Sequence, residues 1–158
     1  MIIREFEKND MFAIESIYNL YWSGDFRENL SKRLRGFVAG DSEMVAQGFK
    51  YLVAEENGEI LGVSGFRKAP VHMGQFIKTQ NSAELYILAV QKRGHGVGKI
   101  IFQKTLEEIK RAGYAEVVLY SGETHQESWG FYDHLGLERV GEAAAPNGEK
   151  GQIWRMEV

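Results

Sequence analysis

The sequence predicts a mixed α/β fold: an early hairpin, a βαβ unit in the middle and closing strands. Three observations carry this. Residues 83–90 form an apolar run that enters a glycine-rich turn, and the segment after the turn places Phe102, Leu106 and Ile109 at helical spacing. An Asn57-Gly58 pair separates two strand-like runs, which is the strongest short hairpin signal. Strand-like and helical runs then alternate to the end without repeats, implying a mixed, mostly antiparallel sheet with helices on both faces. At 158 residues the chain reads as a single domain spanning 1–158, large enough for a hydrophobic core.

In chain order, Ile2–Phe6 reads as a short strand. Asn9 or Asp10 is placed to cap a helix carrying Phe12, Ile17 and Leu20, which ends before Ser23-Gly24. Residues 27–39 form a second helical segment stopped by Gly40, with an extra turn at 42–47. Tyr51–Glu55 and Glu59–Phe66 are the hairpin strands, and 67–82 is a polar loop containing Pro70. The strand at 83–90 and the helix at 99–112, closed near Gly113, make the first half of the βαβ unit, and 117–120 is its second strand. A helix around 128–135 follows, then strands at 138–142 and 153–158 across a loop at 143–151.

Composition narrows the function classes. Hydrophobic content of 44% and charged content of 26% are ordinary for a soluble globule, and a net charge of −3 gives no basic footprint for nucleic acid. No apolar run approaches the ~18 residues of a membrane span, and no basic-then-apolar leader opens the chain. The cytoplasm is the default expectation. Zero cysteines exclude disulfides, thiolate zinc sites and a cysteine nucleophile, and the four histidines lack metal-ligand spacing, so no metal is expected.

The chemistry concentrates in Arg93-Gly94-His95-Gly96-Val97-Gly98-Lys99. A glycine-rich turn feeding a helix gathers unpaired N–H groups at the positive end of the helix dipole, and glycines let an anion approach them. A dinucleotide fingerprint would need glycine where Lys99 or Ile101 stands. A P-loop would need glycine at Arg93 and Ser or Thr at Ile100. Both nucleotide readings fail on these residues.

The pattern that does fit, Arg93-x-x-Gly96-x-Gly98, resembles the pyrophosphate-binding loop of the GNAT superfamily of N-acetyltransferases. Downstream, Phe131-Tyr132-x-x-Leu135-Gly136-Leu137 is similar to the ending of that family's second cofactor segment, at about the right distance. The resemblance is strongest over 83–137. It implies a GNAT-like acyl-CoA N-acyltransferase fold, acetyl-CoA as cofactor, and cofactor contacts from Leu88, Ala89 and Val90 through their backbone, from the loop residues 93–99, and from His125, Ser128 and Tyr132.

Acetyl transfer requires a neutral amine, a route for its proton and a donor for the leaving thiolate. Without cysteine, direct attack in a ternary complex is the simpler route. Tyr132 matches the family tyrosine near the cofactor sulfur, and a phenol is a suitable acid for a thiolate. Packing of the helix beneath Gly136 also accounts for this ring. Glu84 is the candidate base, because family members often place a glutamate on this strand; a solvated glutamate at the strand end is the alternative.

Two departures stand out. The stretch from Val90 to Arg93 is about two residues shorter than the commonest family pattern, and His125 stands where the family often has asparagine. The family builds its acceptor site from the first two helices and the loop before the fourth strand, here including Tyr21, Trp22, Asp25, Phe26 and His72. Aromatics beside Asp25 and Glu28 suit a cationic amine, and ordinary core packing suits the aromatics equally. A small-molecule amine, an amino acid and a peptide N-terminus all stay open, as does a homodimer. The alternative from another class is a non-catalytic acyl-CoA-binding sensor or regulatory module.

Overall fold

The computed structural model describes all residues, Met1–Val158. Strands β1 (Ile2–Glu5), β2 (Lys50–Glu56), β3 (Glu59–Lys68), β4 (Ser82–Val90), β5 (Glu116–Gly122), β6 (Glu138–Ala144) and β7 (Lys150–Glu157) join helices α1 (Met11–Tyr21), α2 (Gly24–Val38), α3 (Ser42–Ala46), α4 (Val97–Arg111) and α5 (Trp129–His134). The seven strands form one sheet in the order β1-β2-β3-β4-β5-β7-β6. β4 and β5 run parallel, as a helical crossover requires, and the β1–β2, β2–β3, β5–β7 and β7–β6 pairs are antiparallel. The chain divides into two compact units. The first holds Met1–Arg67 and Ile87–Thr105, and the second holds Lys68–Tyr86 and Leu106–Val158.

In the first unit the hairpin forms as its sequence predicts. Glu56 faces Glu59, and Asn57 and Gly58 adopt φ of 51° and 80°, the left-handed pair that a two-residue turn with native strand twist needs. Gly40, at φ 68°, ends α2 in the same left-handed region. α1 corrects an expectation. Its buried residues are Ile14, Ile17 and Tyr18, spaced i, i+3, i+4, whereas Phe12 is 84% and Leu20 59% exposed. At about 100° per residue, Phe12 lies nearly opposite the buried face. Phe12 and Leu20 line a surface groove of about 610 Å³ with Asn9, Asn57 and Gln91, and none of the residues expected to do chemistry borders it.

Asp10 precedes α1 but does not cap it with its side chain. Its carboxylate instead accepts both terminal nitrogens of Arg4, at 2.8 and 2.9 Å, and the Glu7 amide at 2.8 Å. The guanidinium fork outcompetes a cap because it offers two charge-assisted bonds to a carboxylate that is 6% exposed. Those bonds hold the Asp10 carboxyl below its ordinary range. Its contribution to stability is therefore present above the usual carboxylate pKa and is lost as pH falls through the folded value. Asp10→Asn is expected to cost about 2 kcal/mol near pH 7, a fall of about 4–8 °C in Tm. The gap from wild type should narrow in acid, and melts with an equal gap at pH 7 and pH 3 would remove the ionised pair from the explanation.

The second unit replaces much of the expected loop at 67–82 with structure. β3 extends to Lys68, a 3-10 turn spans Val71–Phe76, and β4 starts at Ser82. Met73 and Phe76 plug into Val118 and Ile153, which gives this segment an apolar anchor. Glu116, 1% exposed, supplies the polar anchor: its Oε1 accepts the amides of Lys78 and Thr79 and the hydroxyl of Ser82, the first and last at 2.7 and 2.6 Å. β6 and β7 are longer than expected and meet at a tip over 145–149, where Gly148 takes φ 86°. Asn147-Gly148 was the available signal for that turn, the same pair that marks the first hairpin.

Candidate active site

The glycine turn lies wholly in the first unit, between the end of β4 and the start of α4. Val97 and Ile101, the buried residues of the first helical turn, pack with Ala54 and against Leu61, Leu88 and Val90. The side chains of Val97, Leu88 and Val90 are thus spent on packing, and what they offer a ligand is backbone. Gly62 on β3 makes this close approach feasible, since a Cβ there would come within 3.2 Å of the Ala89 carbonyl and 3.3 Å of Val97 Cγ1. Farther along α4, Thr105 donates to the Ile101 carbonyl at 2.7 Å, so Ser64 on β3 is the donor in the 2.6 Å Ser64–Thr105 contact. Apolar and polar contacts together hold the helix start against the sheet.

Gly94 and Gly96 adopt φ of 80° and 79°, and a Cβ on either would meet nothing within 4 Å. The left-handed conformation turns the backbone sharply, and the space a side chain would take is open. Ile100 N–H already bonds to the Gly96 carbonyl at 3.2 Å, which leaves the amides of Val97, Gly98 and Lys99 as the unpaired donors at the helix start. α4 begins at Val97, earlier than expected, so these three amides belong to a 15-residue helix and its dipole. Arg93, His95 and Lys99 are exposed around the turn. Amides, open space and two cations suit the phosphate groups of coenzyme A.

Beside this turn, the first unit gathers an aromatic group at the end of α1. Trp22 touches Tyr18, Tyr21 and Phe26 with ring centroids 5.9, 5.6 and 5.9 Å apart. Asp25 is exposed at the start of α2, and Glu28, the second carboxylate expected for a cationic acceptor, is bound to Arg35 at 2.9 Å. Tyr18 is fully buried with its hydroxyl unpaired, and burial pushes its phenol pKa upward. Tyr21 does more than pack. Its hydroxyl donates to the Val90 carbonyl at 2.5 Å, and the Arg93 guanidinium lies 4.9 Å above its ring.

The second unit holds Tyr132, Glu84, His125, Ser128 and His72. Tyr132, 9% exposed, packs against Phe131 and Trp154, each with ring centroids 5.3 Å away. Trp154 is the hub of this cluster. It is fully buried, meets Trp129 edge-on at 6.0 Å and donates its Nε1–H to Asp133 at 2.9 Å. Arg139 lies over both indoles at 5.4 Å and closes a fork on Asp133, whose carboxyl it holds below the ordinary range. The orientation of α5, and with it the aim of Tyr132, therefore rests on residues from β6 and β7. No local pattern around 128–135 announces that.

Glu84 is 6% exposed in the interior of a strand and stands opposite Val118, which corrects the picture of a solvated strand-end glutamate. Strand alternation puts it on one face with Tyr86, Leu88 and Val90. His125 sits at a kink (φ −117°, ψ 33°) within the 3-10 segment Glu123–Ser128, with Glu127 3.8 Å away, and Ser128 is half-buried just before α5. His72 is exposed on the 3-10 turn before β4. Of the residues expected around an acceptor, Tyr21, Trp22, Asp25 and Phe26 thus share the first unit and His72 belongs to the second. No group of three or more His, Cys, Asp or Glu is placed to hold a metal ion, and no helix is long and apolar enough to cross a membrane.

The chain matches the model of the acetyltransferase (GNAT) family over residues 12–137. It is 30% identical over 104 residues to N-acetyltransferase 8 of Mus musculus, covering 65% of this chain and 44% of that protein. The chain thus spans less than half the length of that relative. Its fold is similar to that of the ribosomal-protein-alanine N-acetyltransferase of Brucella melitensis, with a TM-score of 0.75, 19% identity and full coverage of both chains. It is similar also to the PaiA N-acetyltransferase of Thermoplasma acidophilum, solved in complex with coenzyme A, with a TM-score of 0.69, 16% identity and coverage of 99% and 98%. With a family match over most of its length, the chain belongs to the GNAT acetyltransferase family.

Proposed function

We propose that this chain, residues 1–158 acting as one domain, is an acetyl-CoA-dependent N-acetyltransferase for a primary amine of a small molecule, amino acid or peptide. The observation that carries the reading is the turn with left-handed Gly94 and Gly96 opening onto α4. It is supported by family membership and by relatives whose names specify N-acetyl transfer. Acetyl-CoA, when bound, supplies an activated thioester whose acyl group passes to the amine and whose sulfur departs as a thiolate.

The roles of the residues follow from their chemistry. The amides of Val97, Gly98 and Lys99 hold the pyrophosphate, and Arg93 and Lys99 offset its charge. The backbone of Leu88–Val90 lies alongside the pantetheine arm and offers a hydrogen bond to the carbonyl on which charge develops. Tyr132 gives its phenolic proton to the departing sulfur. Glu84 accepts the proton of the ammonium, directly or through a water. Trp22 and Phe26 present π-faces, and Asp25 a carboxylate, to a cationic amine before it loses that proton.

The test combines binding and turnover. Coenzyme A at ~100 times its Kd should contribute about 2.7 kcal/mol and raise Tm. A panel of small amines, amino acids and peptides should reveal acceptors through release of free thiol from acetyl-CoA. Stabilisation without thiol release from any of the amines would favour an acyl-CoA-binding sensor. A folded protein whose melt ignores millimolar acetyl-CoA would overturn the reading.

A further inference from the structure

We propose that Tyr21 is a positioning residue for the cofactor loop: its hydroxyl and ring latch the short turn from Val90 to Arg93 so that the glycine cradle is formed before the ligand arrives. This rests on the reading of residues 93–99 as the cradle. β4 ends at Val90, and two backbone groups at that point lose the regular ladder. The Gln91 N–H is taken by the Leu61 carbonyl of β3 at 2.8 Å. The Val90 carbonyl is taken by Tyr21, the last residue of α1, across 69 positions of sequence. Only three residues separate Val90 from the first left-handed glycine, Gly94, so little slack remains to absorb an error at the strand end.

The same tyrosine also reaches the other side of the turn. The Arg93 guanidinium rests 4.9 Å over the Tyr21 ring. One side chain thus grips both the last strand residue and the residue that begins the cradle. A cation held over an aromatic face loses less conformational freedom when it engages a phosphate than one waving in solvent. The shortened turn supplies the need for such a latch: with fewer residues to settle into a favoured conformation of its own, the segment depends on a contact from outside. Tyr21 thereby acts through the loop and not as a wall of the acceptor site.

Isothermal titration with coenzyme A, in the absence of any acceptor, tests this on the full chain. Tyr21→Phe keeps the ring and removes the bond to Val90, and coenzyme A Kd should rise about three- to tenfold. Tyr21→Leu also removes the seat of Arg93, and the rise should reach about 10- to 50-fold. In a double-mutant cycle with Arg93→Gln, the effects of Tyr21→Leu and Arg93→Gln should be less than additive, because each breaks the same latch. A purely structural tyrosine would lower Tm in both Tyr21 variants while leaving the Kd of the folded protein and the cycle additive, which overturns the proposal. Wild-type Kd in both Tyr21 variants overturns it equally and returns Tyr21 to the acceptor side. If Gly96→Val also binds coenzyme A like wild type, the cradle reading falls and the latch with it. If Gly96→Val weakens binding and the Tyr21 variants do not, the latch alone falls.

Discussion

Tyr132→Phe is expected to bind acetyl-CoA like wild type and to turn it over 10²–10⁴-fold more slowly, the usual worth of a positioned general acid. The substitution is informative because the ring is already held. Phe131 and Trp154 each contact it at 5.3 Å, and Trp154 is itself fixed by Asp133 and covered by Arg139. Phenylalanine keeps those ring contacts, so the variant should fold and cofactor affinity should be unchanged. What is lost is the hydroxyl, and with it the proton. A uniform fall in kcat and kcat/KM would locate the missing interaction in the transition state. Wild-type turnover, measured with chemistry rate-limiting, would leave Tyr132 as a packing residue of α5 and nothing more.

The second large effect belongs to the cradle. Gly96→Val should raise coenzyme A Kd by about 10- to 100-fold, the loss of one or two charge-assisted hydrogen bonds. Two mechanisms act together. At φ 79° a β-branched residue strains the backbone, and its side chain would occupy the open space beside the α4 amides. A control separates them. Gly148, at the tip between β6 and β7, has φ 86° and equally open surroundings. Gly148→Val should incur a similar stability loss, about 1–2 kcal/mol, while leaving cofactor affinity intact. Equal affinity in folded Gly96→Val would mean that the turn does not touch the pyrophosphate.

Much of the fold follows from short-range rules. Asn57-Gly58 specifies its turn because few other pairs tolerate two left-handed residues in succession. Gly40 and Gly113 end their helices for the same reason, with φ of 68° and 96°. The glycine turn before α4 was legible because its requirement is also local: left-handed backbone, no side chain, and a helix immediately after. Where expectation and structure part, the deciding contact is distant in sequence. Residues 67–82 read as a polar loop since their anchor, the buried Glu116, lies more than 30 residues downstream, with Lys78 bound across 38 positions. Asp10 reads as a helix cap until Arg4 and the end of β2 bring a guanidinium to it, as the parallel bond from Arg4 to Glu55 shows.

By itself, then, the sequence determined the family, the order of strands and helices, and the glycine turn before α4, because each depends on residue types at fixed short spacings. Tertiary structure decided which of the named side chains are free for chemistry. It committed Val97, Leu88 and Val90 to the core, buried Glu84 inside a strand, seated Tyr132 against Trp154 and bound Tyr21 to Val90. Those outcomes depend on which surfaces meet after the strands pair. Spacing along a chain carries no direct record of that, since the meeting residues are set by the packing of whole elements and can lie anywhere in the sequence.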